Sequence, residues 1–497
     1  MNSKNLMKGF VLVIYLLMTT NLIAQDEQSS VQNQEMQTFD TYHEVGYDQS
    51  LRPQFHFSSL KGWLNDPNGM VWYDGEYHLY FQHNPKDTKW GNMTWGHAVS
   101  TDMVHWEQLP HAILPYGGGT IFSGTAVVDQ NNSLKKQIAD SKTMVAYFTF
   151  AKNKFYQAAA YSTDKGRTFT LINDGGAVVP NQGFDMGERD PKVFWHEKSK
   201  KWVMVLWVLH GKEEGTQEEK LGKVRFFTSD NMVDWEVASD FNREWVFECM
   251  DFVELPVDGD INNKKWVLYD ASFDYEIGDF DGKTFTTDKK VHKGDAGANF
   301  YAAQSFNNSP DDRTVMIGWM NQGDNSIFQK ENMPFNLCMS FPTSMELRST
   351  TDGIRLYRWP IKEIESLYVK SHKFKNLTVK KASNKLSGIK AELIDMSIEF
   401  EAESSLKLTI RGLEVTYDSE NEMFVFGNRK LAAPAINRKV KLRVLVDRAS
   451  IELFANEGAA VSTNYAVPEA NNNRISISGA ANLKIKSLVV NELKSSW

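Results

Sequence analysis

Cysteine is almost absent from this sequence. The 497 residues contain only two, Cys249 and Cys338. Two cysteines cannot form a disulfide-rich scaffold, in which several bridges take the place of a hydrophobic core. A chain of this length can bury a core that is stable without a covalent link. We therefore predict two separate thiols, with a single disulfide between them as the alternative.

An excess of positive charge is also missing. The 63 acidic residues outnumber the 55 Lys and Arg residues, and the formal net charge is −8. Nucleic-acid-binding domains usually carry the opposite sign, so we expect no nucleic-acid partner. No glycine-rich phosphate-binding loop is present, and the candidate acids described below lack paired histidines. We therefore expect neither a cofactor nor a metal.

Long apolar runs are missing after the first residues. Lys4 and Lys8 precede an apolar run at 10–18, and Ala24 is a suitable last residue for a leader. This pattern is typical of a signal peptide at 1–24, and the run is too short to span about 30 Å of hydrocarbon. No cysteine follows at which a lipid could be attached, and residues 25–44 form a polar leash. We predict a secreted or periplasmic protein with no membrane insertion.

Short alternating strands dominate residues 45–350. Asp74-Gly75 joins two of them and is a strong hairpin signal. A polar turn followed by an aromatic residue recurs at Asp102, Asp164, Asp230 and Asp281, at intervals of about 60 residues. These repeats predict a catalytic five-bladed β-propeller. An irregular β-sandwich with recurrent hairpin turns is the alternative.

The pattern of alternating strands is interrupted after residue 350. Residues 351–373 contain Trp359-Pro360 followed by a stretch with helical spacing, and we predict a linker there. Residues 374–497 again alternate apolar and polar positions, which is typical of sheets with one buried face. We predict a C-terminal β-sandwich, so the whole chain belongs to the all-β class.

Three acidic residues lie in short polar clusters far apart in the chain. Asp66 lies in the heptapeptide 63–69 (WLNDPNG), Asp190 in Arg-Asp-Pro and Glu248 in Glu-Cys. Taken alone, the first two clusters read as β-turns and the third carries no signal. In a propeller, however, turns from successive blades converge on one funnel. Paired carboxylates there fit the hydrolysis of a glycosidic bond.

The combination of motifs resembles glycoside hydrolase family 32, the β-fructofuranosidases, which include invertases, inulinases and levanases. The three acid motifs occur in the family's order, and the similarity runs from about Gln54 to the C-terminus. Further matches lie at residues 80–85, 90–92, 95–98, 122–124, 301–306 and 319–320. The resemblance implies a five-bladed propeller followed by a β-sandwich, which agrees with the repeats.

The resemblance also implies roles for individual residues. Asp66 is the expected nucleophile, Asp190 the transition-state stabiliser and Glu248 the acid/base of a retaining double displacement. The implied substrate is a fructan (levan or inulin) or sucrose, and no metal is required. The residues expected to bind substrate are Asn65, Gln82, Trp90, Phe122, Ser123, Arg189 and Trp319.

The sequence departs from the family pattern at Met250, where many members have proline after Glu-Cys. The local text is most similar to exo-acting inulinases and levanases, so we predict release of terminal fructose. An endo-acting levanase or inulinase and a fructosyltransferase are alternatives on the same site. Alternatives from other classes are an inverting hydrolase such as an arabinanase and a non-catalytic sugar-binding protein. The oligomeric state stays open.

Overall fold

The computed structural model describes residues 44–210 and 221–497. The predicted signal peptide and all but the last residue of the predicted leash lie outside the described residues. Strands dominate the described part, which contains two short α-helices, α1 (Ile327–Lys330) and α2 (Val379–Leu386). Neither is long and apolar enough to cross a membrane.

The first part of the chain forms the five mainly antiparallel blades of a β-propeller, of which the fourth and fifth share one ten-stranded sheet. Blade I is built from β1 (Gly62–Tyr73), β2 (Glu76–Asn84), β3 (Thr94–Ser100) and β4 (Glu107–Ile113). Blade II is built from β5 (Thr120–Asp129), β6 (Thr143–Ala151), β7 (Tyr156–Ser162) and β8 (Thr170–Leu171). Blade III is built from β9 (Glu188–His196), β10 (Lys201–His210), β11 (Leu221–Ser229) and β12 (Glu236–Asn242).

Two more blades complete the propeller. Blade IV is built from β13 (Asp251–Val257), β14 (Asp260–Tyr269), β15 (Asp274–Phe280) and β16 (Phe285–Thr287), with β17 (His292–Lys293) paired to β15. Blade V contains β18 (Phe300–Ser305), β19 (Thr314–Met320), the short β20 (Phe335–Asn336) and β21 (Cys338–Met339), β22 (Thr343–Thr350) and β23 (Gly353–Pro360). Of these, β20 pairs in parallel with β1 of blade I and so closes the ring.

Apolar side chains fill the spaces between neighbouring blades. Each blade is buried on both faces, and its side chains meet those of the next blade. Representative pairs are Trp95 with Phe148, Val145 with Met204, Phe226 with Phe252, and Tyr269 with Met316. Burial of large side chains of this kind contributes about 1.5–3 kcal/mol each. The first strand of each blade (β1, β5, β9, β13 or β18) contacts the first strand of a neighbouring blade, and we call it the inner strand.

The repeated polar turn joins the third and fourth strands of blades I to IV. In blades I, II and IV an aspartate, Asp102, Asp164 or Asp281, accepts hydrogen bonds from backbone N–H groups of the turn. In blade III it is Asn231, the residue after Asp230, whose side chain accepts these hydrogen bonds. The recurrence that predicts the propeller therefore has a physical origin, since one side chain closes the same turn in each of these four blades.

The last part of the chain forms two packed sheets, the predicted β-sandwich. Its strands in chain order are β24 (Tyr368–Thr378), β25 (Ile394–Glu401), β26 (Leu406–Ile410), β27 (Leu413–Asp418), β28 (Met423–Phe426), β29 (Arg429–Ala432), β30 (Lys439–Val446), β31 (Ser450–Ala455), β32 (Ala460–Tyr465), β33 (Ile475–Gly479) and β34 (Lys484–Leu493). One sheet has the order β24-β34-β25-β30-β31-β32 and the other β29-β28-β27-β26-β33. Their alternating apolar residues share one core.

The segment predicted as a linker, 351–373, has regular structure instead. Strand β23 pairs with β22 along its whole length and completes blade V. A 3₁₀ turn at Lys362–Leu367 follows, and the chain then enters β24 of the sandwich. Pro360 fits the last position of a strand, where its missing N–H costs no ladder bond. The two domains therefore follow each other with a single turn between them.

A buried ionic cluster joins the propeller to the sandwich. The His56 imidazole contacts Asp447 through Nδ1 and Glu452 through Nε2, each at 2.8 Å. Asp447 also accepts hydrogen bonds from the backbone N–H groups of Gln54 and Phe55. Burial alone would lower the pKa of His56, but the hydrogen bonds to both carboxylates outweigh it and raise this pKa to about 9. The histidine is therefore an imidazolium at neutral pH.

The two ends of the described chain meet beside this cluster. The rings of Tyr47 and Trp497 stack with centroids 3.8 Å apart. The Trp497 indole donates to the Pro53 carbonyl at 2.9 Å, and the Ser496 N–H donates to the Gln54 carbonyl at 2.8 Å. The segment before blade I is thus held by residues more than 390 positions later.

Candidate active site

Four of the five inner strands have an irregular register at the residues singled out from the sequence. Two residues on the inner strand face one residue on its partner in each case. The doubled residues are Asn65 and Asp66 in β1, Phe122 and Ser123 in β5, Asp190 and Pro191 in β9, and Ala302 and Ala303 in β18. These are β-bulges, which re-aim side chains and are frequent next to active sites.

This arrangement corrects the interpretation of two acid motifs as turns. The heptapeptide lies wholly within β1, and Arg189-Asp190-Pro191 lies within β9. Polar, proline-containing segments are typical of turns, but they suit a β-bulge equally well. A bulged residue makes no ladder hydrogen bond, so proline can occupy it. Asp190 has φ 65°, which is unusual for a side chain other than glycine.

The third acid lies just outside a strand. Glu248 and Cys249 have φ values of 25° and 47°, and β13 begins two residues later. Backbone strain of this kind costs on the order of 1–3 kcal/mol per residue and persists only where the surrounding structure fixes it. Inner strands of blades I and III and the start of blade IV therefore supply one acid each.

Asp66 is held by two side chains from other blades. The Ser123 hydroxyl donates to Asp66 Oδ2 at 2.6 Å, and the Cys249 thiol lies 3.4 Å from the same oxygen. Burial raises the pKa of Asp66, although the Ser123 hydrogen bond opposes this effect. The carboxyl group therefore has a fixed orientation.

Asp190 is tied to blades II and IV. Its backbone N–H donates to the Thr149 hydroxyl at 2.9 Å, and its Oδ2 accepts from the backbone N–H of Cys249 at 2.9 Å. The Cys249 thiol lies 3.5 Å from the same oxygen, so this sulfur touches both Asp66 and Asp190. Burial, together with the charges of the neighbouring carboxylates, raises the pKa of the Cys249 thiol well above its usual range. Cys249 is thus a neutral donor rather than a nucleophile.

Glu248 is held from both sides. Arg189 Nε donates to Glu248 Oε2 at 2.8 Å, and the Tyr301 hydroxyl donates to Oε1 at 2.8 Å. The Arg189 guanidinium lies over the Trp207 ring, 4.5 Å from its centroid, and 3.9 Å from Asp190 Oδ2. Arg189 therefore links two of the three acids and is itself fixed by an aromatic face.

The three carboxylates influence one another. Burial, opposed by Arg189 and reinforced by Glu248 and Asp66, raises the pKa of Asp190 to about 7. A site with three acids and one guanidinium therefore retains a proton up to nearly neutral pH. The Glu248 side chain is 21% exposed and that of Asp190 is 3% exposed, so Glu248 is more open to solvent than Asp190.

Two of the predicted binding residues lie beside Asp66. Asn65 accepts a hydrogen bond from the Trp63 indole at 2.7 Å and contributes a hydrogen bond to the Asp66 carboxyl. Gln82 lies opposite the bulge in β1 and is buried. With the Asn68 amide oriented to accept from Gln82 at 3.1 Å, the two side chains pair beneath the bulge.

Aromatic residues surround the acids. Trp90 is 55% exposed and contacts the Phe122 ring edge-on, with centroids 6.0 Å apart. Trp319 packs edge-on against both Trp63 and Tyr301. Its indole N–H is buried and has no hydrogen-bond partner among the described residues. Of the seven predicted binding residues, Asn65, Ser123 and Arg189 therefore contact an acid directly. Gln82, Phe122 and Trp319 neighbour residues that do, and Trp90 contacts Phe122.

Sequence reasoning missed two residues of the site. Tyr301 contacts Glu248 directly and belongs to a stretch, 301–306, that matches the family, so a signal was present. The Thr149 hydroxyl accepts a hydrogen bond from the backbone N–H of Asp190. The same hydroxyl donates to the Gln157 side chain at 2.7 Å, which fixes its orientation. A single threonine in an alternating strand carries no sequence signal.

Two other concave regions lie away from the acids. One, of about 440 Å³, is lined by charged residues of blades IV and V such as Lys265, Asp279 and Arg355. The other, of about 240 Å³, lies beside Phe194 and Asn307. Neither includes any of the three acids, and we assign the chemistry to the acid cluster because of its convergent polar groups. Within 44–210 and 221–497, no group of three or more His, Cys, Asp or Glu residues is arranged to hold a metal ion.

Three carboxylates that converge from three blades suit the cleavage of glycosidic bonds. The model of the glycosyl hydrolases family 32 N-terminal domain matches residues 56–360, and that of the family 32 C-terminal domain matches residues 363–492. The chain belongs to glycoside hydrolase family 32. It is a glycosidase of a family of fructan and sucrose hydrolases, and the predicted fold class, propeller followed by sandwich, is confirmed.

Several characterised members are similar over nearly the whole chain. A levanase of Bacillus subtilis is 39% identical over 91% of this chain and 72% of its own length. An extracellular exo-inulinase of Aspergillus awamori is 31% identical over 91% of this chain and 96% of its own. Its crystal structure covers 91% of this chain and 100% of its own, with a TM-score of 0.79. The structure of β-fructofuranosidase from Schwanniomyces occidentalis complexed with fructosyl-erythritol is also similar, with 27% identity and a TM-score of 0.77. The match covers 89% of this chain and 98% of that enzyme's chain.

Proposed function

We propose that this protein is an exported enzyme that releases fructose from β-fructosides, chiefly fructans, by a retaining double displacement. In this proposal Asp66 is the nucleophile, Glu248 the acid/base and Asp190 the transition-state stabiliser. The observation that carries the proposal is the meeting of these carboxyl groups, from three blades, around Cys249 and Arg189.

The first half of the reaction forms a covalent intermediate. Glu248 gives its proton to the leaving oxygen as the bond to the ketose carbon breaks, and Asp66 bonds to that carbon. The products of this step are the free leaving sugar, a fructosyl ester of Asp66 and an ionised Glu248. Because Ser123 and Cys249 hold Asp66 Oδ2, the carboxyl group is already oriented before substrate arrives.

The second half returns the enzyme to its starting state. Glu248 now accepts a proton from a water molecule, whose oxygen bonds to the ketose carbon while the ester bond to Asp66 breaks. Fructose leaves with the same anomeric configuration as in the substrate. Arg189 and Tyr301 hold Glu248 in one place, so that one carboxyl group can give a proton in the first half and take one in the second.

The fructosyl ring is expected to lie among the buried polar groups. Asp190 would accept hydrogen bonds from fructose hydroxyls that shorten as positive charge develops on the ring. The indole N–H of Trp319 supplies a donor that the protein itself does not use among the described residues. Asn65, Gln82, Phe122 and Ser123 complete this part of the proposed site.

The leaving sugar is expected to lie on the solvent side of Glu248. Phe247, the preceding residue, is 44% exposed, and Met186, whose carbonyl accepts from Arg189, is 58% exposed. Trp90, which contacts Phe122 edge-on, is 55% exposed. Apolar surfaces of this kind suit sugar rings of a polymer. The names of the similar enzymes, levanase and exo-inulinase, favour fructans with release from the chain end.

Export of the protein is part of the proposal. The positive, apolar and small-residue pattern at 1–24 supports it, as does the word extracellular in the name of the similar Aspergillus enzyme. A fructan is too large to enter a cell intact, so an enzyme that acts on it must meet it outside. Detection of the mature protein in the culture medium or periplasm, beginning near residue 25, would test this part.

Incubation of the purified enzyme with levan, inulin and sucrose, followed by product profiling, tests the function. We expect fructose alone from each fructan; a ladder of oligosaccharides would mean endo action instead. Products longer than sucrose from sucrose alone would mean a fructosyltransferase. Carbon-13 NMR of the first product, recorded before mutarotation, should show the retained anomer, since the inverted anomer contradicts Asp66 as nucleophile. Release of no product from any of the three substrates contradicts the proposal as a whole.

A further inference from the structure

A buried lysine and a buried aspartate form an ion pair at the centre of the propeller. Lys192 Nζ of β9 lies 2.9 Å from Asp251 Oδ1 of β13, and their side chains are 2% and 0% exposed. Lys192 Nζ also lies 3.2 Å from both the carbonyl and the hydroxyl oxygen of Ser305 in β18. The backbone N–H of Ser305 donates to Asp251 Oδ2 at 2.5 Å. These three residues, which we call the axial tie, connect the inner strands of blades III, IV and V.

The axial tie lies next to the strained residues of the active site along all three strands. Asp190, Cys249 and Ala302 have φ values of 65°, 47° and 49°. Lys192 follows Asp190 by two residues, Asp251 follows Cys249 by two, and Ser305 follows Ala302 by three. Glu248 directly precedes Cys249, before β13 begins, and its partner Tyr301 lies in β18 beside Ala302. In each of the three chain segments, a residue with positive φ is therefore followed within three residues by a member of the tie.

Stability alone is a weak reason for such an ion pair. Removing two charges from water costs several kcal/mol per ion, and well-packed apolar residues often serve a fold as well or better. A buried pair does, however, fix the relative position of the elements that carry it, because each partner left alone would be a buried, uncompensated charge. A conformation with positive φ persists only where neighbouring contacts leave no alternative.

We propose that the axial tie positions the catalytic acids: it holds β9, β13 and β18 at the spacing that brings Glu248 into line with Asp66 and Asp190. The tie touches no substrate, and its members are positioning residues. Without it, the start of β13 can relax, and Glu248 moves relative to the other two acids. This inference rests on the proposed function, since it assigns Glu248 the role of proton donor to the leaving group.

The test compares two substrates that differ in their need for a proton donor. Sucrose has a poor leaving group and depends on Glu248, whereas fluoride leaves β-D-fructofuranosyl fluoride with little assistance from an acid. For Lys192→Met we expect kcat on sucrose to fall by about 10–100-fold, because a displacement of about 1 Å has an effect of this size. On the fluoride we expect a fall at least threefold smaller. Folded protein is quantified by near-UV circular dichroism, and kcat is expressed per folded molecule.

The matched control is a buried ion pair far from the acids. Arg443 donates to both oxygens of Asp395 within one sheet of the sandwich, at 2.9 and 2.8 Å. Arg443→Met should lower the melting temperature while leaving kcat per folded molecule on both substrates unchanged. If Lys192→Met does not fold, Ser305→Ala, which removes one partner of Lys192 without changing a charge, should show the same preference with a smaller amplitude.

Two results would overturn the inference. One is an unchanged kcat per folded molecule in Lys192→Met, and the other is an equal fall on sucrose and on the fluoride. Glu248→Ala, measured in parallel, separates this failure from failure of the proposed function. If Glu248→Ala hydrolyses sucrose normally, the assignment of the acid is wrong; if it is inactive on sucrose while Lys192→Met behaves like wild type, only the tie is refuted.

Discussion

The inner strands of the propeller and the strands of the sandwich are built on the same antiparallel pairing but differ in regularity. In the sandwich, β26 and β27, β30 and β31, and β31 and β32 pair without a register shift. Strand β34 pairs with β24 and with β25 with one shift each, and neither shift lies at one of the three acids. In the propeller, β1, β5, β9 and β18 each contain a bulge at a site residue. An uninterrupted ladder alternates its side chains strictly between two faces, whereas a bulge allows consecutive residues to serve one site.

This difference matches the proposed location of the chemistry. Regular pairing supplies stability and carries no candidate acid of the site, while the interrupted strands carry Asp66 and Asp190 with their partners. Irregular pairing is costly, and it is retained at the place where three acids must converge. Substitutions that act differently in the two regions can therefore test the division.

The largest contrast is expected from removing an acid in each region. Asp66→Ala and Glu248→Ala should each lower kcat by about 10³–10⁵-fold with little change in the melting temperature, because in the proposed mechanism each removes a group that reacts with substrate. Asp395→Ala removes a buried acid of the sandwich. It should lower the melting temperature and leave kcat per folded molecule nearly unchanged. Fructose release and thermal unfolding of all three variants measure both effects. Wild-type turnover in either propeller variant would contradict the assigned roles.

The next largest effect concerns the contact between the two regions. His56→Leu leaves Asp447 and Glu452 buried without their cation, and we expect a loss of stability of about 3–5 kcal/mol. In the wild type the pKa of His56 is raised from 6.5 to about 9, so its contribution is fully present below about pH 6.5 and is lost as the pH rises through about 9. Denaturant unfolding at pH 6.5 and 9.5 should show this loss in the wild type and not in the variant.

A smaller effect is expected at the partner of the proposed acid/base. Tyr301→Phe removes the hydroxyl that donates to Glu248 Oε1, and we expect kcat to fall by about 10–100-fold while the fold is retained. Tyr417→Phe removes a buried hydroxyl of the sandwich and is the matched control. Steady-state hydrolysis of sucrose measures both. Equal activity of the two variants would show that Tyr301 has no part in holding Glu248.

The smallest effect is a gain in stability. Burial raises the pKa of Asp190 from 3.8 to about 7, so the folded protein binds more protons than the unfolded chain between these values. Its stability therefore falls as the pH rises from about 4 to 7, and above pH 7 the full cost is present. Asp190→Asn should lose activity. At pH 8 it should increase the free energy of unfolding by on the order of 1–3 kcal/mol and so raise the melting temperature by a few degrees. The gain should vanish near pH 3.5 in scanning calorimetry.

The sequence predicted the regular features of the molecule, and the three acids that it singled out lie close together in the structure. Repeated turns such as the one at Asp102 predicted the blades, because one side chain closes each turn by local hydrogen bonds. The bulges were not predictable, since a bulge depends on the register of a partner strand and not on its own residues. The misplaced linker has a similar cause: Trp359-Pro360 looks like a break, but its pairing with β22 is decided by residues earlier in the chain. Thr149 escaped notice because its role depends entirely on a neighbouring blade.

The meeting of the chain ends has a consequence for how the protein is made. Gln54 accepts a hydrogen bond from the N–H of Ser496, and Tyr47 stacks on Trp497. Contacts between residues about 440 positions apart cannot form during synthesis until the last residues have appeared, and such long-range contacts slow folding. The segment that begins the first blade is therefore among the last parts to reach its final place. In the export proposed above, the protein crosses a membrane as an unfolded chain, and this order of events leaves the early residues free until the late ones arrive.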